Sequence, residues 1–96
     1  MKRKITRPPT HPGELLKHEF LIPMGLTQKE LAAHWDVDFK VINRLCNGHT
    51  NIDTRMAHRL AATFETSVEM WLNLQRAVDE WQLKVSGFKP PKSLVH

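Results

Sequence analysis

The chain has one cysteine, Cys46, no tyrosine and no long apolar run. A single thiol forms no internal disulfide and cannot build a cysteine-rich zinc site. No apolar stretch approaches the roughly 20 residues that a membrane-spanning helix needs. The basic start, MKRKITRPPTHPGE, has no apolar segment behind it, so it does not read as a secretory signal. The expected home is therefore the reducing cytoplasm. Strand signals are also scarce: nothing alternates cleanly, and Val and Ile do not cluster. His18-Glu19 opens the zinc-protease pattern HExxH, but Ile22 stands where the second histidine belongs. The other histidines show no paired ligand spacing, and neither a phosphate loop nor a Ser/His/Asp arrangement is visible. The expectation is a protein that is not an enzyme, with no metal, cofactor or small-molecule substrate.

What remains is 96 residues of ordinary globular composition, 41% hydrophobic and 25% charged, enough for one domain with one core. The net charge of +4 is unevenly placed. Lys2, Arg3, Lys4 and Arg7 crowd the first seven residues without an acid. Residues 39–59 carry Lys40, Arg44, Arg55 and Arg59 against Asp53 alone, and residues 84–96 carry three lysines unopposed. The intervening blocks are acidic. A polyanion would meet the N-terminal arm and the 39–59 block.

Helix signals are strong and closely spaced. Pro12 suits a first turn, and Pro23 and Gly25 are expected to end that helix. Thr27-Gln-Lys-Glu30 and Thr66-Ser-Val-Glu69 both read as capping boxes. Asp38 and Asp53 stand where N-caps are needed, and Gly48 suits a helix C-terminus. Helices are predicted at about 12–21, 28–35, 39–47, 54–64 and 67–83. The connections are short, which implies an all-α bundle. Residues 1–11 form a basic arm, 12–83 the domain, and 84–96 a tail that Gly87, Pro90 and Pro91 keep from continuing the last helix.

Two helical faces carry information. In 39–47, Val41, Ile42 and Leu45 share an arc of about 100°, while Phe39, Lys40, Asn43, Arg44 and Asn47 fill another of about 140°. The second arc holds cations for phosphate or guanine, amides for adenine, and an aromatic ring for a thymine methyl. Taken alone, it reads better as a plain solvated face. The spacing adds weight: Ala32, Val37 and Ile42 recur every five residues, with Leu45 three further on and Gln28 heading the preceding helix. This is the skeleton of a helix-turn-helix, although Asp36 stands where the tight turn usually has glycine. The second face belongs to 67–83. Met70, Trp71, Leu74, Ala77, Val78 and Trp81, with Val68 and Leu72, cover about 220°, more than one small core needs. The surplus predicts a two-fold dimer. Met24, Met56 and Met70 read as core fillers, and Cys46 as a small core residue.

RPPTHPGELLKHEFLIPMGLTQKELA at 7–32, the helix-turn-helix through Asn47-Gly48, and RLAATFETSVEMWLNLQ at 59–75 together resemble the HigA/VapI-type antitoxins. HPGE and WLNLQ are the specific parts of this likeness, which covers residues 7–83. The resemblance implies an all-α, five-helix lambda-repressor-like DNA-binding domain with an extended C-terminal helix and short tails. It implies binding to a HigB-type toxin, an endoribonuclease that cuts messenger RNA, and repression of the protein's own operon as a homodimer on double-stranded operator DNA. By position, Gln28, Phe39, Lys40, Asn43 and Arg44 match the family's DNA-facing residues, and Asn47 would lie near the backbone. Family members often carry small residues where Asp38-Phe39-Lys40 stand, and often an acid at Arg44. The geometry therefore carries over, but the operator sequence does not. Two other readings remain open: a free-standing phage-type repressor, and a protein-sequestering module without DNA binding.

Overall fold

A computed structural model describes residues 7–95. Its helices are α1 (Pro12–Leu15), a π-helical turn (Leu16–Leu21), α2 (Ile22–Met24), α3 (Gln28–Trp35), α4 (Phe39–Cys46), α5 (Thr54–Phe64) and α6 (Val68–Val85). Since α1, the π turn and α2 run on as one rod, the architecture is five helical rods, with no strand among the described residues. The first rod is longer than the sequence suggests. Pro23 lies inside it, and the rod ends only where Gly25 takes a left-handed conformation at φ 64°. Proline lacks an N–H and its ring crowds the preceding turn. The wider π turn just before it, closed by the Ile22 N–H on the Lys17 carbonyl, accommodates that defect.

Caps define most of the other ends. Thr27 and Glu30 complete a reciprocal capping box at α3. Asp38, Asp53 and Ser67 accept from Lys40, Met56 and Met70 backbone N–H groups at the starts of α4, α5 and α6. The expected second box fails at Thr66, because its hydroxyl accepts the Trp71 indole N–H at 2.7 Å and Ser67 caps instead. Asp36 supplies the left-handed residue of the α3–α4 turn at φ 54°, and its N–H reaches the Ala32 and Ala33 carbonyls. Its short polar side chain tolerates this region better than most.

Leu16, Leu31, Ile42, Leu45, Leu60 and Trp71 are fully buried and form the centre of the core. Phe20 lies between Phe64 and Trp71, with ring centroids 5.1 and 5.5 Å away in tilted geometry. Burying such rings contributes the largest share of hydrophobic stabilisation per residue. Met24 is not a core filler: it is 61% exposed at the end of the first rod. The radius of gyration is 16.3 Å, against about 13 Å for a compact domain of this length. Gln82 through Val95 are all exposed, so the far end of α6 and the tail stand off the body.

Candidate nucleic-acid interface

The helix-turn-helix is α3, the Asp36 turn and α4. Ile42, Leu45 and Cys46 are buried and seat α4 on the core, with Val41 half-buried beside them. Burial of the Cys46 thiol pushes its pKa up, which keeps it protonated and inert. Seating that face turns the opposite one outward. Phe39, Lys40, Arg44 and Asn47 are exposed, while Asn43 and Gln28 are half-buried. The structure thus brings together all six of the residues expected to face DNA.

Three of them are linked. The Asn43 Nδ2 donates to Gln28 Oε1 at 3.1 Å, and the Asn47 Nδ2 donates to Asn43 Oδ1 at 3.2 Å. These bonds tie the head of α3 to the middle and end of α4. Gln28 keeps its own side-chain N–H groups, and Asn47 keeps its carbonyl oxygen, for outside partners. Arg44 Nη2 reaches the His49 carbonyl oxygen only at 3.5 Å, the outer limit for a hydrogen bond. The rest of the guanidinium fork stays available for phosphate or guanine.

The first rod buttresses α4 from behind. His11 caps α1, its Nδ1 accepting the Gly13 N–H at 2.9 Å. A Cβ on Gly13 would collide with the Leu45 carbonyl oxygen, so only glycine lets the two helices meet there. Sequence patterning also passed over Gln75, which merely interrupts the apolar face of α6. It is 5% exposed and bonded to the segment that follows α4. A buried polar side chain among apolar neighbours was the available signal.

The α6 face divides differently from the sequence expectation. Trp71 is 0% exposed and Val78 is 7% exposed within their own chain, so neither has surface left for a second copy. Both drop out of the expected dimer surface, because their own chain covers them: Trp71 packs on Phe20 of the first rod, and Val78 lies beside Pro8, Pro9 and His11. Met70, Leu74 and Trp81 are half-buried and Ala77 is exposed. Ala77 and Trp81 line an open groove of about 1020 Å³ together with Pro8, Pro9, Leu83 and Phe88. Of the basic arm, Arg7 is exposed, while Lys2, Arg3 and Lys4 lie outside the described residues. No helix among the described residues is long and apolar enough to cross a membrane. They hold no group of three or more His, Cys, Asp or Glu side chains placed to bind a metal ion.

A family model described as helix-turn-helix matches residues 18–71. The chain is 43% identical over 82 residues to antitoxin HigA-1 of Vibrio cholerae, covering 85% of this chain and 77% of that protein. It is also 43% identical over 82 residues to the HTH-type transcriptional regulator YbaQ of Escherichia coli, covering 85% of this chain and 73% of that protein. Among solved structures, it is similar to the Pseudomonas aeruginosa antitoxin HigA with the higBA promoter. That match has a TM-score of 0.79 and 32% identity, covering 84% of this chain and 87% of the other.

Proposed function

This chain belongs to the helix-turn-helix family of the HigA- and VapI-type antitoxins, and on that footing we propose that it is an antitoxin and autorepressor. It binds and neutralises a HigB-type messenger-RNA endoribonuclease, and as a homodimer it represses its own operon by binding operator DNA. It works in the cytoplasm as a binding protein rather than as an enzyme. The observation that carries the reading is the outward face of α4, where Lys40, Arg44 and Asn47 are exposed and the half-buried Asn43 amide stands among them. The relative solved with promoter DNA supports the same use of the fold.

In this mechanism α4 enters the major groove. Lys40 and Arg44 meet guanine edges or phosphates, Asn43 and Gln28 read adenine or anchor the backbone, and Phe39 lies against a thymine methyl. Asn47 sits near the backbone at the helix end. Residues 1–11 act as an arm adding sequence-independent affinity, residues 12–83 form the domain, and residues 84–96 are a tail. Met70, Leu74, Ala77 and Trp81 form the dimer face. The two copies of α4 must then reach half-sites about 34–36 Å apart.

The test is co-expression with the adjacent gene, followed by gel filtration and a gel shift on the protein's own promoter. A stable complex with a small ribonuclease and a shifted promoter support the proposal. If the promoter does not shift, repression is rejected; if no complex forms, toxin neutralisation is rejected. A free-standing repressor is the second reading, favoured by the regulator name of the Escherichia coli relative. It predicts a promoter shift with no toxin partner.

A further inference from the structure

The two most specific stretches of the sequence, HPGE and WLNLQ, contribute nothing to the proposed DNA face, yet they converge on one place. That place is the last turn of α4 and the chain segment leaving it. From the first side, Gly13 meets the Leu45 carbonyl, and the His11 ring lies 3.6 Å from where a Cβ on Gly48 would stand. From the second side comes Gln75. Its Oε1 accepts the Ile52 N–H at 2.8 Å, and its Nε2 donates to Asn51 Oδ1 at 3.2 Å and to Asp79 Oδ1 at 3.0 Å.

A neutral amide that both accepts and donates is the chemistry this position needs. The Ile52 N–H precedes the Asp53 cap, so it has no partner within α5, and the Ile52 side chain is buried. Leaving that N–H unbonded in the interior is costly, and the partner on offer comes from a different helix. With both ends of its amide engaged, Gln75 holds residues 51 and 52 in one position against α6. The same segment runs back to the recognition helix. The His49 N–H donates to the Arg44 carbonyl at 2.9 Å, and the Arg44 guanidinium reaches the His49 carbonyl at 3.5 Å. A continuous set of bonds and chain thus leads from α6 to a side chain on the DNA face.

We infer that Gln75 is a positioning residue for DNA binding: from α6 it fixes the segment between α4 and α5, and through that segment it sets Arg44, without touching DNA. The inference rests on the DNA-binding reading above. It also joins the helix that carries the proposed dimer face to the helix that reads the operator.

The experiment compares wild type, Gln75→Met, Gln75→Glu, Arg44→Ala and the Gln75→Met/Arg44→Ala double variant. Affinity for the protein's own promoter DNA is measured at temperatures where circular dichroism shows each variant folded. Amide hydrogen exchange at residues 49–53 is followed in the free proteins. Gln75→Met keeps the length and loses all three bonds; it should weaken promoter binding about tenfold and speed exchange at 49–53. Gln75→Glu keeps the Ile52 bond but sets a carboxylate beside Asp79, so it should fall between. In the Arg44→Ala background, Gln75→Met should cost clearly less than tenfold, because the two residues act through the same contact. An equal loss in both backgrounds, or unchanged exchange at 49–53, overturns the inference. If Gln75→Met does not fold, Gln75→Glu takes its place in both backgrounds, and the same two results overturn the inference. Should wild type fail to bind the promoter, the DNA reading falls, and the exchange measurement still decides whether Gln75 holds the segment.

Discussion

Asn43 and Gln28, fifteen positions apart in the chain, share a hydrogen bond of 3.1 Å that crosses the helix-turn-helix. The bond joins the first residue of α3 to the middle of α4, so two amides expected to face DNA hold each other before any DNA arrives. Side chains fixed in this way lose less rotamer freedom on binding than free ones do. Of the remaining face, Lys40 is the part free to adapt, while Arg44 keeps one long contact to the His49 carbonyl oxygen.

Lys40→Ala and Arg44→Ala should each weaken operator binding by about 1–3 kcal/mol. Both residues are exposed, so thermal stability should hardly change. Fluorescence titration with promoter DNA checks this, and undiminished affinity of the double variant would remove α4 from the groove.

Residues 2–7 should act through charge alone. Deleting them removes Lys2, Arg3, Lys4 and Arg7, and each phosphate left without its cation flattens the slope of log affinity against log salt by about 0.9. Promoter titrations at several salt concentrations give the slope; the same slope after deletion would leave the arm idle.

Gly13→Ala should destabilise the fold by about 1–3 kcal/mol, because its methyl enters space held by the Leu45 carbonyl. In a domain of this size each kcal/mol lowers the melting temperature by roughly 4–8 °C. An unchanged melting curve would contradict the close approach of α1 to α4.

His11 should make stability depend on pH. Burial holds its pKa below the ordinary 6.5, opposed by Glu14 and Asp79 and assisted slightly by His49. The cap also requires an unprotonated Nδ1. With the folded pKa depressed, the unfolded chain binds the extra proton first as pH falls below about 6.5. Stability is therefore full above that pH and declines below it, until the folded imidazole itself takes the proton. His11→Asn retains a cap acceptor without titrating, so urea midpoints at pH 7.5 and 5.5 should differ less for it than for wild type.

The proposed dimer face predicts that Trp81→Lys leaves the protein monomeric at micromolar concentration with its helix content intact, since Trp81 is only half-buried in its own chain. Sedimentation equilibrium reads the mass. A dimer that survives the substitution would place the two-fold contact elsewhere.

Local chemistry was legible in the residues alone. Thr27, Asp38 and Asp53 announce helix starts because a capping oxygen acts within three residues, and the outward arc of α4 follows from 3.6-residue periodicity. Asp36 stands in the turn as its spacing indicates. Distant contacts were not legible. Pro23 looks like a stop, but the π turn carries the rod past it. Thr66 looks like a cap, but the Trp71 indole claims its hydroxyl. On α6, periodicity groups Trp71 with Met70 and Trp81, and only packing against the rest of the bundle separates what is buried from what is left outside. Gln75 looks like an interruption until Asn51 and Ile52 are brought against it from more than twenty positions away. A chain's own order records which neighbours lie within a turn, whereas the partner of a buried side chain depends on how whole helices stack.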